Sequence, residues 1–137
     1  MIVLDASAAV NMVLGTPEGL ALRELILEGE HVVAPRFFCV EVTNVFWKYV
    51  EAGIMDSATA KELMGAALSL VDSFYGELDL ATEVLAQAVN LKHSAYDVFY
   101  LVLARRLDAT LFTSDNALRS LCGQVGVACV NAVDMES

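Results

Sequence analysis

Ile2-Val3-Leu4-Asp5-Ala6-Ser7 is a short apolar run that stops at an acid and continues into small residues. Branched apolar side chains in so short a run are typical of a buried β-strand. The segment from Ser7 to Leu14 then predicts a short helix that ends at Gly15. Ligands of open parallel sheets bind where a strand gives way to a helix. Asp5 stands at such a point, so it is either a helix cap or part of a site.

Short apolar runs alternate with helical patterns along the rest of the chain. The other predicted strands are 31–34, 109–113 and 127–130, with a brief extended segment at 77–80. The predicted helices after the first are 17–28, 37–51, 57–74, 81–91, 95–107 and 116–122. Strands separated by helices indicate crossover connections, and therefore an α/β protein with a mainly parallel sheet. We find no linker and no internal repeat, which predicts a single domain over residues 1–137.

The composition narrows the class of protein. The 137 residues include 18 acidic and 8 basic ones, a formal net charge of −10. This balance argues against extensive nucleic-acid binding through basic side chains, but not against a site where cations supply the positive charge. Although 57% of the residues are hydrophobic, no uncharged apolar stretch reaches the roughly 18 residues of a membrane span. The three cysteines show no zinc-binding or disulfide spacing, which favours buried free thiols in a cytoplasmic protein.

Four acids lie in unusually apolar surroundings, and they are Asp5, Glu41, Asp97 and Asp115. For three of these acids, a structural role as a helix cap is an alternative to a role in a functional site. Asp5 or Ser7 could cap the first helix, Asp115 could cap the helix at 116–122, and Asp97 could complete a capping box with Ser94. Glu41 is harder to explain this way, because no basic residue lies at a helical spacing suitable for pairing.

Taken as a set, the four acids indicate a site. Asp5 and Asp115 each follow a strand, and Glu41 and Asp97 each lie early in a helix. All four could therefore meet at one edge of the sheet, where bare carboxylates repel one another. Carboxylate oxygens select hard divalent cations such as Mg²⁺ or Mn²⁺. Such an ion activates water and neutralises a phosphate under attack.

The four acidic blocks occur in the order and spacing of a known family. The blocks are 2–7, 35–45, 96–104 and 111–115. Together they resemble the PIN domain, and more narrowly the VapC-type toxins of toxin–antitoxin pairs. The resemblance implies a three-layer α/β/α sandwich and a Mg²⁺- or Mn²⁺-dependent endoribonuclease acting on RNA. It also implies a small cognate antitoxin protein that blocks the groove.

The resemblance implies roles for particular residues. Asp5, Asp97 and Asp115 would hold the metal ion, and Glu41 would complete the catalytic set. Supporting roles fall to Ser7, Asn44 and Thr113. With Asp5 assigned to the site, Ser7 is the expected N-cap of the first helix. The basic residues available for phosphate contacts are Arg36, Lys48, Lys92, Arg105, Arg106 and Arg119.

Other functions stay open at this point. A PIN-like module could serve only as a binding partner without nuclease activity, or the chain could be a solitary PIN nuclease in RNA processing. A haloacid-dehalogenase-like phosphatase needs an aspartate where Ser7 stands. His31 and His93 are expected to be structural or at the surface, since neither is paired with a nucleophile. The apolar helical segments 37–50 and 55–74 predict a homodimer contact or an antitoxin-binding groove.

Overall fold

A computed structural model describes residues 1–130, and its centre is a sheet of five parallel strands. The strands are β1 (Ile2–Leu4), β2 (Val32–Pro35), β3 (Ser73–Tyr75), β4 (Thr110–Phe112) and β5 (Cys129–Val130). They lie in the order β3-β2-β1-β4-β5, and each neighbouring pair is parallel. The first strand of the chain is therefore the central one, flanked by β2 and β4.

Helices cover both faces of this sheet. They are α1 (Ala6–Leu14), α2 (Pro17–Glu24), α3 (Phe38–Glu51), α4 (Ser57–Leu68), α5 (Ala81–Leu91), α6 (Ala95–Leu107) and α7 (Asn116–Val125). Ile2 and Leu4 pack into a core shared with α1 to α4, whereas Val3 packs into a second core with α5 to α7. Alternate residues of a strand point to opposite faces, so β1 contributes to both cores. The predicted three-layer α/β/α sandwich around a parallel sheet is confirmed.

The first two helices pack unusually closely. Thr16 caps α2 by accepting a hydrogen bond from the Gly19 amide at 3.0 Å, and Pro17 begins the helix. Gly19 lies directly against the α1 backbone, where a Cβ atom would come within 2.0 Å of the Asn11 carbonyl oxygen. The α1–α2 pair therefore depends on a residue without a side chain at this position.

One region departs from the prediction. The helix expected to reach Phe74 ends at Leu68, and the extended segment expected at 77–80 is replaced by β3 at Ser73–Tyr75. The pairing with β2 decides this, since the Asp72 amide bonds the Val32 carbonyl at 2.7 Å and the Asp72 side chain accepts from the Val32 amide at 2.8 Å. A strand of three residues leaves little signal in the sequence, because the alternation that marks a strand needs four residues or more.

Element boundaries elsewhere differ slightly. α2 ends at Glu24 rather than Glu28, and α7 continues to Val125 rather than ending at Cys122. Cys39, Cys122 and Cys129 form no disulfide with one another, as expected, but only Cys122 is fully buried. None of the helices described in residues 1–130 has the length and apolar composition that spanning a bilayer requires.

Candidate active site

The four acids lie at the carboxyl-terminal edge of the sheet. Asp5 follows β1 directly, and its amide bonds the carbonyl of Phe112, the last residue of β4. Asp115 lies three residues beyond β4, while Glu41 and Asp97 lie in the first turns of α3 and α6. In an α/β sheet this edge is where ligands bind.

Asp5 is held in a buried cradle of hydrogen-bond donors. Its side chain accepts from the Ala8 amide at 2.9 Å and from the Ser7 hydroxyl at 2.8 Å. The Thr113 hydroxyl donates to the other carboxylate oxygen. Burial raises the pKa of Asp5 to about 7, although the hydrogen bonds from Thr113, Ala8 and Ser7 oppose this shift. The surroundings of Asp5 therefore disfavour its ionised form.

The N-cap of α1 is Asp5 and not Ser7. The assignment of Ser7 as the cap of this helix is therefore wrong. The Ser7 hydroxyl instead donates to Asp5 and accepts a hydrogen bond from the Ser114 amide at 3.1 Å. Capping and site membership are thus compatible for Asp5, because one oxygen satisfies the helix while the carboxylate still faces the sheet edge.

The segment after β4 is tied to the segment after β1. Thr113 is fully buried, and its hydroxyl also accepts from the Asp115 amide at 2.9 Å. Asp115 in turn caps α7 by accepting from the Ala117 amide at 2.8 Å. These bonds fix the position of Asp115 relative to Asp5 without involving any basic residue.

Glu41 is positioned by a residue that sequence reasoning missed. The Tyr100 hydroxyl donates to Glu41 Oε1 at 2.7 Å. Burial raises the pKa of Glu41, the Tyr100 hydrogen bond opposes the rise, and the charge of Asp97 adds to it. Asn44 lies one turn later on α3, exposed to solvent beside Val40 and Trp47. No Asn44–Glu41 hydrogen bond is found in the described part of the chain.

Asp97 is half-buried and has a histidine beside it. His93 Nε2 lies 3.6 Å from Asp97 Oδ2, one helical turn away. Burial and the charge of Asp115 raise the pKa of Asp97, while His93 lowers it. The capping box suggested for Ser94 and Asp97 is not formed within residues 1–130, because the Ser94 side chain makes no cap hydrogen bond.

The four carboxylates form one electrostatic cluster. Asp115 raises the pKa of both Asp5 and Asp97, and Asp97 raises that of Glu41. Such mutual repulsion is what a divalent cation relieves. Within residues 1–130, however, no three acidic, histidine or cysteine side chains stand in an arrangement that could hold a metal ion. An ion would have to draw the carboxylates together.

One further atom at this edge lacks a partner. The Ser114 hydroxyl oxygen is buried and makes no hydrogen bond to any residue in the described range. A buried hydroxyl without a hydrogen-bond partner lowers the stability of the folded state. Ser114 lies between Thr113 and Asp115 in the sequence, so its hydroxyl is close to the candidate site. The side chains of the cluster offer only oxygen atoms, and oxygen is the ligand that hard cations such as Mg²⁺ prefer.

Two of the basic residues considered for phosphate contacts are engaged elsewhere. Arg105 and Arg106 both pair with Glu83, at 2.6 and 2.7 Å. They lie at the carboxyl-terminal end of α6, whereas Asp97 lies at its beginning. These arginines hold α5 to α6 and are not placed at the acidic cluster.

A parallel α/β sandwich with a cluster of carboxylates at the ends of its central strands has its polar groups where α/β proteins bind their ligands. The PIN domain model matches residues 2–124, and the chain belongs to the PIN domain family. It is 34% identical over 118 residues to Ribonuclease VapC12 of Mycobacterium tuberculosis, from strains CDC 1551 / Oshkosh and ATCC 25618 / H37Rv. The alignment covers 86% of this chain and 89% of that relative.

A solved structure shares the fold. The crystal structure of PAE2754 from Pyrobaculum aerophilum superposes with a TM-score of 0.67 and 26% sequence identity, covering 87% of this chain and 84% of that one. The resemblance to a VapC-type PIN domain is confirmed by the family model and the sequence similarity, and the solved structure supports the fold.

Proposed function

We propose that this chain is a metal-dependent endoribonuclease that hydrolyses RNA phosphodiester bonds and acts as the toxin of a VapBC-type pair. The observation that carries the proposal is the buried Asp5, held by hydroxyl groups among three other carboxylates at one sheet edge. Burying an acid in this way costs stability, and ionisable groups in such unfavourable environments cluster at functional sites. The similarity to a protein named as a ribonuclease supports the substrate class.

In this proposal Asp5, Asp97 and Asp115 hold a Mg²⁺ or Mn²⁺ ion, and Glu41 completes the set. When bound, the ion supplies an activated water and positive charge for the phosphate. The chain's own residues orient the ligands. Ser7 and Thr113 fix the Asp5 carboxylate, and the Ala117 amide fixes Asp115. The surplus of acids makes binding of RNA without the cation unfavourable.

The replacement Asp97→Asn tests the nuclease assignment. It removes one charged ligand with little change in shape, so cleavage of RNA in Mg²⁺ or Mn²⁺ should fall by at least about 100-fold. Chelation should abolish cleavage by the unmodified protein. The measurement is the rate of cleavage of a labelled RNA.

Asp108→Asn is the matched control for charge. Asp108 is exposed at the other end of α6 and adopts a left-handed conformation that asparagine tolerates equally well. This variant should cleave like the unmodified protein. Equal cleavage by the Asp97 variant, or cleavage that survives chelation, would refute the metal-nuclease assignment and leave a binding module.

The proposed partners follow from an apolar surface on α3 and α4. Val40 and Trp47 are exposed there, beside a hollow lined by Phe46, Val50 and Met64. We assign this surface to a homodimer contact or to the antitoxin, as predicted from the sequence. Light scattering should report a mass of two chains, and a single-chain mass would contradict the dimer.

A single domain over 1–137 and a cytoplasmic location stay predictions, and residues 131–137 lie outside the described range.

A further inference from the structure

Tyr100 joins the two helices that carry Asp97 and Glu41. It lies three residues after Asp97 on α6, and residues at this spacing share a helix face. Its side chain is only 2% exposed, and its hydroxyl reaches across to Glu41 on α3. A buried tyrosine hydroxyl normally has a partner, and here the partner is an acid of the candidate site.

The tyrosine ring is itself fixed by aromatic contacts. Phe37, the residue before α3, packs edge-on against the Tyr100 ring with centroids 5.3 Å apart. The same phenylalanine contacts Phe99 at 5.4 Å. These contacts hold the Tyr100 ring, so its hydroxyl has little freedom to swing away from Glu41.

The direction of the hydrogen bond is also fixed. An ionised carboxylate can only accept a hydrogen bond, whereas a phenol carries a donor hydrogen. The Tyr100 hydroxyl therefore donates to Glu41. This hydrogen bond uses one acceptor position of Oε1 and orients the carboxylate, and neither acceptor position of Oε2 is used by it. Asn44 does not orient Glu41 in the described arrangement, because it lies on the exposed side of α3.

We propose that Tyr100 is a positioning residue that presents Glu41 to the metal ion through the hydrogen bond between its hydroxyl and Glu41 Oε1. This inference rests on the proposed nuclease function and adds a residue to it. Groups that orient metal ligands typically change metal affinity or activity by about 10- to 100-fold when they are removed. Tyr100 does not touch the substrate or the ion in this proposal.

The test compares the binding of Mn²⁺ to the unmodified protein and to Tyr100→Phe, by calorimetric titration in the absence of RNA. The phenylalanine keeps the ring and its packing but removes the donor. The dissociation constant should rise about 10-fold or more. In cleavage assays kcat should fall at limiting Mn²⁺ and partly recover at saturating Mn²⁺, with KM for RNA unchanged.

Tyr49→Phe is the matched control. Tyr49 lies two helical turns beyond Glu41 on α3 and packs on Phe46 in the other core. Removing its hydroxyl should leave Mn²⁺ binding unaltered. Should Tyr100→Phe fail to fold, Phe37→Leu removes the ring support while keeping the hydroxyl, and it should weaken Mn²⁺ binding in the same direction.

A double-mutant cycle with Glu41→Gln separates positioning from general structural damage. If Tyr100 acts through Glu41, then Tyr100→Phe should change Mn²⁺ affinity by less than about twofold when Glu41 is already glutamine. An undiminished effect in that background would overturn the inference, as would normal Mn²⁺ binding by Tyr100→Phe alone. Failure of the unmodified protein to bind Mn²⁺ or cleave RNA would instead defeat the proposed function, and this inference with it.

Discussion

Asp5→Asn should lose RNA cleavage by about 1,000-fold, the upper end for removal of one preorganised electrostatic group. The same variant should be more stable than the unmodified protein at pH 8 when no metal ion is bound. Both effects have one cause, which is the burial of a carboxylate whose charge has no cationic partner in the described structure. Asparagine keeps the shape and can still accept from the Ala8 amide and the Ser7 hydroxyl.

The stability effect depends on pH in a defined direction. Asp5 has a pKa of about 7 in the folded protein, whereas the ordinary value for an aspartate is 3.8. Between these values the folded state binds the proton more tightly than the unfolded state, so this group makes the protein less stable as pH rises from about 4 to 7. The ionised form therefore costs at most about 4 kcal/mol above pH 7. Asparagine does not titrate and removes this cost.

Urea unfolding in chelator at pH 5 and pH 8 measures the difference. The gain in free energy of unfolding from Asp5→Asn should be larger at pH 8, and the unmodified protein should recover stability when Mn²⁺ is added. The variant should show little such recovery. A loss of stability at pH 8 would show that the three hydrogen bonds to the carboxylate outweigh its burial.

Gly19→Ala should produce the largest loss of stability among simple substitutions outside the site. The added Cβ atom would lie 2.0 Å from the Asn11 carbonyl oxygen and 2.5 Å from the Met12 amide nitrogen. Both are backbone atoms of α1, so no side chain can move aside and α2 must shift. We expect a cost of about 3 kcal/mol or more, at the upper end of overpacking effects.

Gly65→Ala is the control for the same chemical change. Gly65 lies inside α4, where an added Cβ meets nothing within 4 Å. Alanine favours helix more than glycine does, so this variant should gain about 0.5–1 kcal/mol. Thermal or urea unfolding of both variants decides the matter, and similar midpoints for the two would contradict the close packing of α1 and α2.

Much of the fold could be predicted because short stretches of sequence show the residue patterns of strands and helices. The buried run at Ile2–Leu4 and the long apolar helix at Phe38–Glu51 are of this kind. The strand order could not be, since a sheet is assembled from contacts between distant segments. β3 shows this clearly, because Ser73–Tyr75 pairs with β2 but is too short to show a strand pattern of its own.

The residues of the candidate site likewise fall into those that could be predicted from the sequence and those that could not. The acids were recognisable because charged residues are conspicuous inside apolar runs. Tyr100 was not, since a tyrosine in an apolar helix is ordinarily a core residue. Its spacing of three from Asp97 was the available signal, but its meaning depends on Glu41, which lies 59 residues away in sequence.

The central place of β1 also has a consequence for synthesis of the chain. Thr113, which completes the Asp5 cradle, lies 108 residues after it, and β1 pairs with β4 along its whole length. A growing chain leaves the ribosome amino terminus first, so the hydrogen bonds that hold Asp5 stay incomplete until Thr113 has been synthesised. The site proposed for RNA cleavage therefore cannot assemble before β4 and the residues that follow it have been made.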